Sequence, residues 1–228
     1  MDFRQHYSGS TGNLYTVEHN GERILIEAGV PIDRIREATD FSLYNYSGCL
    51  ITHEHKDHSK AAKGVIMAGV PVYTSQGTIV ANDERLPGVA VIAPRCVFHV
   101  GPFTILPFET EHDAAEPLGF LIHAGEDKLL FATDTYFVRY RFKGITQIAI
   151  ECNWSEETLA DDIDPSHMER LRRSHMSLER LKKMLAANDL GKVREIHLLH
   201  ISRSNGDKRM FVDEIQKVTG IPTYCLES

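Results

Sequence analysis

Thr52-His53-Glu54-His55-Lys56-Asp57-His58-Ser59 sets four metal-type donors, His53, His55, Asp57 and His58, within six consecutive positions. Protonated imidazoles at this density would repel cations, and merely packed ones would bury polar groups without compensation. Around a divalent ion that accepts nitrogen and oxygen donors, all four are used. Before the cluster, Ser47-Gly48-Cys49-Leu50-Ile51 reads as a turn and a short buried strand. After it, Ser59 to Ala68 reads as an alanine-rich helix ending at Gly69. α/β proteins place their chemistry at such junctions, where a strand's C-terminal end opens into a helix. The competing reading is a solvated polar turn that happens to be rich in histidine.

The 228 residues suffice for one large domain or two small ones, and 42% hydrophobic with 25% charged residues is an ordinary globular composition. No interdomain linker or repeat is evident, so residues 1–228 are expected to form a single domain. No apolar run approaches the length of a membrane span, and Met-Asp-Phe-Arg-Gln-His lacks a signal-peptide pattern. Cys49, Cys96, Cys152 and Cys225 form no C-x-x-C pair, and three sit in strand-like contexts. That pattern predicts buried free thiols and a cytoplasmic location. A net charge of −7 argues against gripping long duplexes by blanket phosphate neutralisation, although bound ions would add local positive charge.

Alternation and turn chemistry predict strands over Phe3–Tyr7, Asn13–Glu18 and Arg23–Glu27, the last two joined at His19-Asn20-Gly21. Pro31–Ala38 and Gln76–Asn82 read as short helices, with Pro71–Tyr73 a strand between the His-cluster helix and the second of these. Further strands are expected near 89–92, 96–100, 103–108, 118–123, 128–132, 147–151, 193–200 and 221–226. Ser177–Ala187 is the clearest helix, with Ser177 as N-cap and Leu178, Leu181, Met184 and Leu185 on one face, and Phe211–Val218 is helical by period. Strands, helix, strands, twice over, predict two packed sheets with helices on both outer faces.

Single donors follow at strand ends: His112 in Glu111-His112-Asp113, Asp134 in Ala132-Thr133-Asp134-Thr135, and His200 after Leu198-Leu199. Each alone would be an ordinary core or surface residue. With the first four they make seven, enough for two metals with an open position each.

At this point the chain resembles the metallo-β-lactamase superfamily, whose H-x-H-x-D-H signature is His53, His55, Asp57 and His58 here, with His112, Asp134 and His200 in the expected order. The resemblance implies an α/β fold, the four-layer αββα sandwich. It implies one metal on His53, His55 and His112, another on Asp57, His58 and His200, and Asp134 bridging both. A finer resemblance is to the YycJ/WalJ-like branch, related to RNase J and RNase Z. It rests on Gly9-Ser10-Thr11-Gly12-Asn13, His112-Asp113-Ala114-Ala115-Glu116-Pro117-Leu118-Gly119, Glu151-Cys152-Asn153, Ser174-His175-Met176-Ser177 and His200-Ile201-Ser202. It implies that His175 lies by the metals as a proton donor. The family's usual Asp-Ala-Gly is Glu27-Ala28-Gly29 here, and the extra methylene leaves the role of Glu27 open. The large insertion that serves RNA-processing relatives as a clamp is missing from the sequence.

The expected activity is that of a binuclear phosphodiesterase with two Zn²⁺ or Mn²⁺ ions, a nuclease for single-stranded or terminal nucleic acid, with hydroxide generated at the metals as nucleophile. Asp57 and His175 are the expected catalytic residues. For phosphate, the small polar loop carrying Ser10, Thr11 and Asn13 can present N–H groups and hydroxyls, though it could equally be a plain turn. Tyr136-Phe137-Val138-Arg139-Tyr140-Arg141-Phe142-Lys143 interleaves aromatics with cations, so Arg139 and Arg141 are expected to meet substrate. The competing reading of that segment is a strand or helix edge with inward aromatics and solvated cations. Three alternatives stay open: a small cyclic nucleotide or sugar phosphodiester as substrate, a thioester or lactone hydrolase, and a non-catalytic metal-binding module. No membrane partner is expected.

Overall fold

The computed structural model describes residues 1–82, 86–159 and 163–226. Backbone contacts divide the chain into two compact units: residues 1–109 with 114–125, and residues 110–113 with 126–228.

In the first unit, β1 (Asp2–Tyr7), β2 (Leu14–His19) and β3 (Glu22–Ile26) form an antiparallel meander. Its second turn is the expected one, since Asn20 and Gly21 both have positive φ, as the tight hairpin geometry demands. The sheet then turns parallel, adding β4 (Gly48–Leu50), β5 (Val72–Thr74) and β6 (Ala90–Val91) in the order β1-β2-β3-β4-β5-β6. Leu25, Cys49, Ile51 and Val72 are fully buried against residues such as Ile35 of α1 (Ile32–Ala38) and Val65. The helix expected over Ser59–Ala68 is two pieces, α2 (Lys56–Ser59) and α3 (Ala62–Met67). The break has a tertiary cause: the Ala61 N–H donates to Ala28 O at 2.8 Å instead of continuing the α2 ladder. α4 (Gln76–Ala81) is capped by Ser75, whose hydroxyl accepts from Thr78 N. Three antiparallel strands, β7 (Phe98–Val100), β8 (Phe103–Glu109) and β9 (Leu118–Ala124), complete this unit.

The second unit contains four parallel strands, β10 (Asp127–Ala132), β11 (Gln147–Glu151), β12 (Glu195–Leu199) and β13 (Thr223–Cys225). β11 is buried at every position, as parallel strands covered on both faces are. Its helices are α5 (Pro165–Ser174), α6 (Leu178–Ala186) and α7 (Lys208–Thr219). The cap and apolar face of α6 are those read from the sequence, with Leu178, Leu181, Met184 and Leu185 buried. The α5 helix is a departure: Met168 and Leu171 are its only large apolar residues, too few to declare a periodicity. Tyr136–Lys143 is neither strand nor helix. Cys49 and Cys152 are buried thiols, whereas Cys96 is exposed. Among the described residues, no helix is long and apolar enough to cross a membrane.

Candidate metal centre and its supporting carboxylates

Most of the expected donors lie just past the C-terminal ends of parallel strands, β4 in the first unit and β10 and β12 in the second, whereas His112 follows the antiparallel β8. In the first unit the polypeptide leaves β4 at Leu50, and His53 follows, buried. His53 Nε2 faces His55 Nδ1 at 3.1 Å, and His58 Nε2 lies 3.4 Å from Asp57 Oδ2. These are two donor pairs with the close spacing that ligands of a common ion adopt.

Glu27 explains how the imidazoles are aimed. It is fully buried, sits one residue past β3, and has φ 69°, in the left-handed region that costs a non-glycine residue about 1–3 kcal/mol. The Thr52 hydroxyl donates to Glu27 Oε1 at 2.6 Å, so its remaining capacity toward His53 Nδ1, 2.8 Å away, is as an acceptor. That places the His53 proton on Nδ1 and leaves the Nε2 lone pair able to serve a metal. The other imidazole under Glu27 control is His58, whose Nδ1 is 3.2 Å from the same Oε1. One carboxylate therefore sets the tautomer of His53 through Thr52 and stands beside Nδ1 of His58, the position of carboxylates behind metal-bound histidines. The extra methylene of Glu27 relative to aspartate supplies the reach.

Asn13 is also buried, and its amide nitrogen lies near Gly9 O, Asp57 O and His58 Nε2. With its Oδ1 accepting from Gly9 N and Tyr15 Oη, the side chain holds the small loop together from inside. Ser10 and Thr11 are exposed on that loop. Gly29 is required by close approach, because a Cβ there would fall 1.6 Å from Asp57 O.

In the second unit Asp134 divides its oxygens: Oδ2 is 3.6 Å from His112 Nε2, and Oδ1 is 3.4 Å from His200 Nδ1. A carboxylate placed so is suited to bridging. Asp134 and His200 both have positive φ (45° and 50°), which turns their side chains at the strand ends. His112 Nδ1 donates to Ser174 O at 2.9 Å, at the end of α5, which frees Nε2. Burial holds the His112 pKa below the ordinary histidine value, against the pull of Asp134.

Glu151 is the second unit's counterpart of Glu27. It is fully buried and accepts from His175 Nδ1 at 2.6 Å, Thr135 N at 2.8 Å and Met176 N at 3.1 Å, with His200 Nδ1 3.4 Å away. Burial opposes ionisation of Glu151, but the His175 charge and hydrogen bond outweigh it and keep its pKa below the usual value. Burial likewise would lower the His175 pKa, and Glu151 reverses this to a net rise. The ring of His175 lies 5.4 Å from that of His112 and 5.5 Å from that of His200. Asp134, Glu151, His175 and His200 offer ligand atoms within 4.8 Å of one another. Asn153 donates to His200 O at 2.7 Å, the analogue of Asn13 in the first unit. Arg139 is ion-paired with Glu111, and Arg141 is exposed.

Within each unit the structure thus gathers the predicted donors and adds Glu27 and Glu151. Their signal was faint but present: each is a lone acid closing an apolar strand, Ile24-Leu25-Ile26-Glu27 and Ile148-Ala149-Ile150-Glu151.

Nitrogen-rich donors with carboxylates, several of them backed by buried orienting groups, are the makings of a metal-dependent hydrolase centre. A model of the Beta-lactamase superfamily domain matches residues 22–201, and the chain belongs to the metallo-β-lactamase superfamily. It is 30% identical to "Exodeoxyribonuclease YycJ" of Bacillus anthracis, covering 93% of this chain and 88% of that one. It is 26% identical to "Exodeoxyribonuclease WalJ" of Streptococcus pneumoniae, covering 89% and 82%. The metallo-β-lactamase fold protein YhfI of Bacillus subtilis matches with a TM-score of 0.75 at 16% identity, over 99% of this chain and 95% of that one. The fold is the αββα sandwich expected from the sequence.

Proposed function

We propose that the chain is a binuclear phosphodiesterase of the nuclease type, acting on single-stranded or terminal DNA in the cytoplasm. The observation that carries the reading is the His175–Glu151 pair: an imidazole inside the donor cluster, locked by a buried carboxylate, with no place in the family's ligand set. Following the family motif, His53, His55 and His112 would hold one divalent ion and Asp57, His58 and His200 the other, with Asp134 serving both. The donor types suit zinc or manganese. Bound there, such ions would supply Lewis acidity and lower the pKa of water to about 7.

The chain's own residues do the rest. Asp57 orients the attacking water. His175, whose Nδ1 is committed to Glu151, uses Nε2 to give a proton to the leaving alkoxide. Ser10 and Thr11 meet a non-bridging phosphate oxygen on the loop that Asn13 braces, while Arg141, joined by Arg139 on release from Glu111, neutralises neighbouring phosphates. The names of the two curated relatives support DNA as the substrate.

Labelled single-stranded and duplex DNA and RNA, incubated with protein loaded with Mn²⁺ or Zn²⁺, are the test. Cleavage of DNA from its ends is expected, and no cleavage of any strand would end the proposal. The net charge of −7 favours one second reading, a small cyclic nucleotide or sugar phosphodiester. Turnover of cyclic nucleotides without turnover of oligomers would select it.

A further inference from the structure

The loop that follows Asp134 and one face of α6 enclose a groove of about 380 Å³ in the second unit. Its lining includes four cations, Arg139, Arg141, Arg180 and Lys183, and no acidic residue, in a chain whose net charge is −7. Since Arg139 is ion-paired with Glu111, the sign of the groove is set by Arg141, Arg180 and Lys183. Val138 and Met184 are buried and give the groove an apolar floor. Phe137, 50% exposed, stands on its wall. Arg180 donates to Arg172 O at 2.6 Å and lies 5.2 Å from the centre of the Tyr136 ring, so a guanidinium and an aromatic are already stacked there.

The groove is fastened to the donor cluster of its own unit. Tyr136 N donates to Glu111 O at 3.1 Å, next to His112, and Thr135 Oγ1 donates to Phe137 O at 2.7 Å, next to Asp134. Cations around an apolar floor, with exposed aromatics, are the ingredients of a surface that tracks an unpaired strand: phosphates meet the charges and bases stack on the rings. A duplex would hide those bases.

We infer that this groove holds the single-stranded DNA segment adjoining the scissile phosphate, with Arg141 and Lys183 on its phosphates and Phe137 and the Tyr136–Arg180 pair under its bases. The inference rests on the nuclease reading, and Arg180, Lys183 and Phe137 join the substrate-contacting residues by it.

The test is read in chelator, without turnover, as fluorescence anisotropy of dye-labelled single-stranded DNA. Wild-type affinity should rise between oligomers of about 4 and about 12 nucleotides, the range of strand-tracking sites. Arg141→Glu/Lys183→Glu should weaken binding at least about tenfold and reduce the salt slope by about 1.4, about 0.7 for each phosphate no longer neutralised. Phe137→Ala should weaken it at least about fivefold, because a base loses its stacking platform. Lys192→Glu/Lys217→Glu, which makes the same charge change away from the groove, should bind within about twofold of wild type. Equal binding by the two double variants would overturn the inference, as would binding to phosphatidylserine vesicles with none to the oligomer. Wild-type turnover of bis-p-nitrophenyl phosphate and of the oligomer under Mn²⁺ tests the nuclease reading separately. Its absence alongside intact groove binding would sink that reading and leave the strand site standing.

Discussion

The donor clusters of the two units are built on one plan and displayed differently in the sequence. In the first, four donors occupy positions 53–58 on a single loop; in the second, three donors come from positions 112, 134 and 200. Behind each stands a buried glutamate at the end of a strand, Glu27 and Glu151, and a buried asparagine, Asn13 and Asn153. What differs is the load on the glutamate. Glu27 faces imidazoles of the donor set, through the Thr52 hydroxyl and directly, and accepts one long bond from Thr52 N. Glu151 binds His175 and two backbone N–H groups. On our proposal the first cluster is a holder, and the second also carries a group able to move a proton. Local sequence is enough to build a holder, whereas chemistry was assembled by tertiary structure.

Substitutions can separate the two roles. The largest effect is expected for Asp134→Asn, which removes charge from the carboxylate whose oxygens face both His112 and His200. Turnover should fall by about 10³-fold, with metal content falling in step, as several kcal/mol of charge stabilisation disappear. Normal kinetics with full metal content would show that the bridge is misassigned. Next comes His175→Ala, with turnover down about 10²–10³-fold while elemental analysis still finds a full metal complement. Metal loss in this variant would erase the distinction between holder and proton carrier. Glu27→Gln should lower metal affinity about 10–100-fold, because the carboxylate that orients His53 and His58 loses its charge. Glu27→Asp tests reach: if the extra methylene matters, restoring the family's usual residue also weakens metal binding, and an unchanged affinity would refute that. The smallest effect is thermodynamic. Gly29→Ala should cost about 1–3 kcal/mol in urea unfolding, since its Cβ would collide with the Asp57 carbonyl.

The first cluster was legible because its donors are contiguous and its strand and turn signals are local. The hairpin at Asn20-Gly21 and the Ser177 cap were legible for the same reason. The helix break at Ala61 was not, because its cause is a hydrogen bond to Ala28, more than thirty positions away. Helix α5 escaped for want of apolar residues, and with it the Ser174 carbonyl that fixes the tautomer of His112. The pairing of Glu151 with His175 spans 24 positions and leaves no periodic trace. The role of Glu27, left open by the sequence, became plain once its contacts with Thr52 and His58 were visible.

The central claim is that the two clusters act together as a binuclear hydrolytic centre. Its most direct test is activity and bound metal measured in parallel as chelated protein is titrated with Mn²⁺ or Zn²⁺. The account predicts no phosphodiester cleavage by the stripped protein and full activity at two ions per chain. Cleavage by thoroughly stripped protein, or saturation of activity at a single ion, would contradict it.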